Sequence, residues 1–179
     1  MKRITLLIAL MLFLLTGCSD PPVASVHIDD PKLYLQTNNY VSNELNSSFV
    51  GVLPTQLFIE QEQSVYNYEY QCSFMGDPNF LVYCSVYYDT QRFTQEINRL
   101  EQMDISIFPV NEFEKLYYVQ PDINHLMLYT DNVINDGLSF RFEMALVDSA
   151  NHRIDYLVAR QQDNYDKSPL ILEMIKKIQ

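Results

Sequence analysis

The sequence predicts an α+β fold: a mostly antiparallel sheet with helices packed on one face, forming a single two-layer domain. Three observations predict it. Two neighbouring runs alternate apolar and polar residues with a period of two around a cluster of turn formers, which is the mark of a hairpin. Two other segments place apolar residues at helical spacing behind good N-terminal caps. The order helix, hairpin, helix, strands, helix lacks the regular strand–helix alternation of a parallel sheet, so the helices must lie against antiparallel strands.

Asp30-Pro31 opens the first predicted helix, because Asp caps well and Pro tolerates the first helical position, where its missing N–H has no partner to lose. Leu33, Tyr40, Val41 and Leu45 then fall on one side. From Ser64 to Phe74 the residues Tyr66, Tyr68, Tyr70, Cys72 and Phe74 share a face, and Asn67, Glu69, Gln71 and Ser73 share the other. Met75-Gly76-Asp77-Pro78-Asn79 supplies a turn, after which Phe80, Val82, Cys84, Val86 and Tyr88 repeat the alternation. Asp89 caps a helix whose Phe93, Ile97 and Leu100 form an apolar stripe.

Pro109 falls in a connection, followed by a strand at Lys115–Val119 and a meander of three more at His125–Ile134, Leu138–Asp148 and Arg153–Arg160. Asn135-Asp136-Gly137 provides a hairpin turn, since Asp-Gly accepts positive φ angles. Ser168-Pro169 starts a closing helix that buries Leu170, Ile171, Met174, Ile175 and Ile178.

The first twenty residues are an address rather than part of this fold. Lys2-Arg3 precedes an apolar run from Ile4 to Leu15, and Thr16-Gly17-Cys18 closes it with small residues. The run is shorter than the ~20 residues that span a bilayer. Leu15-Thr16-Gly17-Cys18 resembles the lipobox of bacterial lipoproteins, a likeness confined to the leader. The resemblance implies removal of residues 1–17, a diacylglyceryl group on the Cys18 thiol and acylation of the new amine. At ~0.8 kcal/mol per buried methylene, two or three chains anchor stably where one would not. Ser19 in place of an inner-membrane Asp implies an outer-membrane location facing the periplasm, if the organism has two membranes. Residues 18–25 then form a lipidated tether, with Pro21-Pro22, and residues 26–179 the domain.

Loss of Lys2 and Arg3 with the leader leaves ten basic against 23 acidic residues, a net charge of −13 over 162 residues. A chain of that length buries about 70% of its unfolded surface and is stable by itself. Its charge repels nucleic acid and anionic headgroups and favours a basic partner or simple solubility.

With Cys18 used for lipid, Cys72 and Cys84 remain as a pair in an exported chain, and a hairpin centred on Pro78 sets them opposite one another as a disulfide. They are not CxxC, so a redox role is not expected. Asp131 to Gly137 lacks calcium-loop spacing, since Val133 takes the third ligand position and no Gly stands at the sixth. His27, His125 and His152 are scattered outside any metal spacing. Gly51, Gly76 and Gly137 are too few for a phosphate-cradling loop, and no cofactor is expected.

Thirteen tyrosines and no tryptophan leave one surface question. Leu81, Tyr83 and Tyr87 fall on the hairpin face opposite the cysteines; uncovered, they would make an aromatic binding surface, and a helix laid on them would make them core. The expectation is a membrane-anchored envelope lipoprotein that binds an envelope or secreted protein as an accessory, assembly or inhibitor module. The alternative is a small-ligand or glycan binder, or a wall hydrolase whose carboxylates converge only in the fold.

Overall fold

The computed structural model describes residues 24–30, 33–34, 51–54, 65–72, 79–119, 139–162 and 168–178. They form seven strands and two helices: β1 (Ala24–Ile28), β2 (Val65–Cys72), β3 (Asn79–Tyr87), α1 (Thr90–Glu101), β4 (Ser106–Pro109), β5 (Glu114–Tyr118), β6 (Ser139–Asp148), β7 (Arg153–Gln162) and α2 (Pro169–Ile178). The strands make one sheet in the order β1-β2-β3-β7-β6-β5-β4, and every neighbouring pair is antiparallel. Two meanders, β1 to β3 and β4 to β7, are therefore joined side by side at β3 and β7, with α1 as the crossover between them.

This is the α+β antiparallel architecture the sequence predicts, and the sheet is covered more fully than one helical layer would allow. One face carries Tyr66, Tyr68, Phe80, Val82, Cys84, Val86, Ala145, Val147, Ile154, Tyr156 and Val158 under Phe93 and Leu100 of α1. The other carries Leu81, Leu116, Tyr118, Phe142, Met144, Leu146, Leu157 and Ala159 under Ile171, Met174 and Ile175 of α2. The reason is visible in β6 and β7, where Met144-Ala145-Leu146-Val147 and Tyr156-Leu157-Val158-Ala159 are apolar on both faces. A strand with two apolar faces needs cover on each, so the second helix goes to the second face.

Both helices begin where expected. Asp89 accepts a hydrogen bond from the Arg92 N–H at 2.8 Å, capping α1. Pro169 opens α2, whose buried stripe is Ile171, Met174 and Ile175. The β6–β7 hairpin turns through Ser149–His152, where Asp148 accepts from the Asn151 N–H at 3.1 Å and His152 takes a positive φ of 49°.

β1 and β4 were not expected. Ala24 and Ser25, read as tether, open β1. Pro109, read as a connection, ends β4, and the pairing explains why it is tolerated. The Val110 N–H donates to the Glu114 carbonyl, so in the alternating ladder Ser106 and Phe108 point their backbone groups at β5 while Ile107 and Pro109 point theirs outward. Proline's missing N–H thus falls on the side of β4 away from β5, where among the described residues no strand pairs and no ladder bond is lost. The helix from Asp30, apart from Leu33 and Tyr34, lies outside the described residues. So do the strand at His125–Ile134 and the Asp136-Gly137 turn.

The hairpin register corrects the cysteine pairing. Tyr66 is opposite Cys84 and Gln71 is opposite Asn79, so the β2–β3 hairpin is centred near Met75 rather than Pro78. Cys72 lies six residues past Cys84's true partner, roughly 20 Å along the strand at ~3.3 Å per residue, and pairs with Ala24 instead. Cys84 is a free, fully buried thiol. An even shift of register changes neighbours without changing faces, which is why the expected inner face of β3 survives the error. Burial and the nearby Asp155 and Glu96 carboxylates push the Cys84 thiol well above its ordinary pKa. Cys84 is expected to resist iodoacetamide in the native protein at pH 8 and to react once urea unfolds it; rapid native alkylation would contradict its place in the core.

Candidate functional site

Among the described residues, polar side chains converge at two places, one on each face of the sheet. On the α1 face the centre is Glu143, a β6 carboxylate with 1% exposure. Its Oε1 accepts the backbone N–H of Gly51 at 2.6 Å and of Val52 at 3.1 Å, and Oε2 lies 3.5 Å from Nη2 of Arg141. Gly51 has φ 88°, a backbone conformation that favours glycine. From the other side Arg99 of α1 donates Nη1 to the Gly51 carbonyl at 3.0 Å and Nη2 to the Val52 carbonyl at 2.7 Å. Glu96 holds that guanidinium in place, accepting from Nε on both oxygens at 3.0 Å. Glu96 also accepts the Tyr156 hydroxyl at 2.7 Å; with that proton spent, Tyr88 is the donor in the 2.9 Å contact between the Tyr88 and Tyr156 hydroxyls. Tyr34 donates to the Pro54 carbonyl. The network clamps residues 51–54 between helix and sheet.

On the α2 face the centre is Asp155 of β7, also 1% exposed. Register places Ser85 directly beside it, and the Ser85 hydroxyl donates to Oδ1 at 2.6 Å. Lys177, near the end of α2, donates Nζ to Oδ2 at 3.0 Å. Arg153 brings Nε to 3.4 Å of Oδ1, a charge contact without hydrogen-bond alignment, and Nη2 to 3.5 Å of Asp148. The same guanidinium lies over the Tyr87 ring, 5.9 Å from its centroid. Asp155 therefore ties α2 to the middle of the sheet, and the Ser85 hydroxyl donates to it.

The expected aromatic surface falls beside this second centre. Leu81 is buried at 3% exposure within the α2 core; Tyr83 is partly buried against the same core, and Tyr87 is half-buried under Arg153. Helix α2 is thus the cover weighed against an open patch. Of the histidines, His152 stacks on Phe93 with centroids 4.8 Å apart, and His27 pairs in β1 with Glu69; His125 lies outside the described residues. Cys18 also lies outside them. Among the described residues no three His, Cys, Asp or Glu side chains gather as metal ligands. The buried carboxylates Glu143 and Asp155 were missed because each looks like an ordinary polar residue in an alternating strand. Their partners are 91 and 70 residues away in sequence.

The tyrosines give the domain an alkaline limit. Burial, with Asp155 nearby, pushes Tyr83 up to about 12, and burial with Glu101 beside it pushes Tyr117 up to about 12. Burial also raises Tyr34, Tyr88 and Tyr156. A phenol whose folded pKa exceeds its unfolded 10 favours the folded state while neutral. That stability is intact below pH ~10 and is lost as pH rises through about 12. The urea midpoint should accordingly fall between pH 10 and 12, with late phenolate absorbance at 295 nm; a midpoint unchanged to pH 12 would contradict this.

No protein-family model, curated protein or solved structure matches this chain. Among the described residues, the fold is an antiparallel α+β arrangement with a helix on each face of a seven-stranded sheet and a polar centre on each side.

Proposed function

We propose that the protein is an exported lipoprotein held at a membrane by Cys18, whose acidic domain binds a protein partner without catalysing a reaction. The observation that carries this reading is the sequence Leu15-Thr16-Gly17-Cys18 behind a basic and then apolar leader. No helix among the described residues is long and apolar enough to cross a membrane, so lipid rather than a described helix would supply the attachment. If the organism has two membranes, Ser19 directs the protein to the outer one, facing the periplasm.

The polar centres support an accessory role over a hydrolytic one. Glu143 and Asp155 lie on opposite faces of the sheet, so they do not form an acid–base pair, and each is committed to holding a helix or loop in place. The test is metabolic labelling with an alkyne palmitate analogue in cells making the full chain or Cys18→Ser. Label and membrane sedimentation are expected in the full chain and lost in the variant; label retained by Cys18→Ser would overturn the anchor.

A further inference from the structure

We propose that the β4–β5 hairpin is the docking surface of this domain, and that the partner is a protein presenting Lys or Arg side chains around an apolar recess. The proposal deepens the protein-binding reading, and the lipid anchor enters only to orient the hairpin.

Three large apolar side chains are exposed among the described residues: Val65 at 54%, Ile107 at 46% and Phe113 at 53%. Two of them belong to this single hairpin and its turn. Phe113 is held in advance of any contact. Asn111 Oδ1 accepts the N–H of Phe113 at 2.9 Å and of Glu114 at 3.0 Å, and the Phe113 carbonyl accepts the Ser149 N–H at 2.9 Å. A turn whose backbone is already ordered loses little main-chain freedom on binding, which favours an interface anchor at its tip.

The polar surroundings select the partner. Ile107 and Pro109 point their backbone groups away from β5, where no described strand pairs, and since Pro109 has no N–H they offer two carbonyls against one donor there. Asp104 and Glu112 are exposed and Glu114 is half-buried, whereas Lys115 is the one cation between residues 104 and 115. Acceptors and negative charge around two apolar side chains fit a donor-rich, cationic surface. A second copy of this chain carries the same sign, and an anionic bilayer is repelled for the same reason.

Position agrees. Six residue steps separate Cys18 from Ala24, at most about 20 Å of chain. Ala24 opens β1 at one edge of the sheet, and the register puts Glu114 nine ladder positions along and five strands across. That is roughly 30 Å by 24 Å, so the Phe113 turn lies diagonally opposite the tether. A domain anchored through Cys18 and resting on its strand ends or on its β1 edge would therefore present the hairpin away from the membrane.

The experiment places a photo-crosslinking phenylalanine analogue at Phe113, Ile107 or, as control, Glu173 on the outer side of α2, in full-length protein in intact cells. The expected result is one protein adduct shared by positions 113 and 107, absent from 173, whose identified partner has a basic surface. Its yield should fall at least about fivefold in Glu112→Lys and Asp104→Lys backgrounds, whose urea midpoints confirm folding. Adducts to lipid or to a second copy, no protein adduct, or an adduct indifferent to both charge reversals would each overturn the proposal. Palmitate labelling of the same cells separates the two readings: labelled protein without the adduct fails the docking surface alone, and the adduct without label fails the anchor alone.

Discussion

Replacing Glu143 with alanine is expected to lower unfolding stability by about 3–5 kcal/mol, the usual effect of removing one partner from a buried charged contact. The carboxylate is 1% exposed and satisfies the N–H groups of Gly51 and Val52. Its loss leaves the buried Val52 N–H without its acceptor, where an unsatisfied group costs about 1–3 kcal/mol, and takes the acceptor from Gly51, whose residue is exposed. Part of the effect should return in Glu143→Gln, whose amide oxygen can still accept but without charge. Urea denaturation followed by circular dichroism measures both. Arg99 clamps the carbonyls of the same two residues from α1, so the Glu143 and Arg99 variants should be non-additive. A Glu143→Ala protein within about 1 kcal/mol of the parent, a shift typical of surface substitutions, would show that residues 51–54 do not depend on this carboxylate.

Asp155→Ala should be the second most damaging single change, at about 2–4 kcal/mol, because it takes one charge partner from Arg153, which keeps Asp148, and one from Lys177, and leaves the Ser85 hydroxyl without its acceptor. Lys177 is 43% exposed, so its ammonium can turn to solvent, and that part of the loss is screened. The position of Asp155 gives the damage a direction. Lys177 reaches it from the last turn of α2, so the variant should loosen that helix before the sheet. Hydrogen exchange would then show amides of Pro169–Ile178 opening in Asp155→Ala while those of β3 and β7 stay protected. In a double-mutant cycle, Lys177→Met should add little on top of Asp155→Ala, since the two side chains share one contact. Uniform exchange across sheet and helix would mean that Asp155 supports the whole fold rather than pinning α2.

Both centres show what a strand pattern hides. The alternation placed Tyr66, Tyr68 and the residues from Phe80 to Tyr88 on their correct faces, because a period of two needs only local information. It did not fix which residue of β2 stands beside Cys84, since nothing within the strands distinguishes a pairing centred on Met75 from one centred on Pro78. The expectation of a Cys72–Cys84 disulfide rested on that register, which sets Tyr66 rather than Cys72 opposite Cys84. Helices α1 and α2 were legible because their caps and stripes are local too: Asp89 with Phe93 and Leu100, and Pro169 with Ile171, Met174 and Ile175. β4 was not, since four residues ending in proline resemble a connection until the ladder shows that the proline faces the open edge.

Local chemistry along the chain is enough to specify the apolar run whose end, Leu15-Thr16-Gly17-Cys18, is similar to a lipobox, the acidic balance, the antiparallel α+β class and the period of most strands. All of these depend on composition or on residues within one turn of each other. The register of the hairpin, the division of the two helices between opposite faces, and the burial of Glu143 and Asp155 arise only when the segments come together. So does the exposure of Ile107 and Phe113 on one hairpin. These depend on contacts between segments tens of residues apart, where the free energy lies in shared burial and paired charge rather than in the preference of any one stretch of chain.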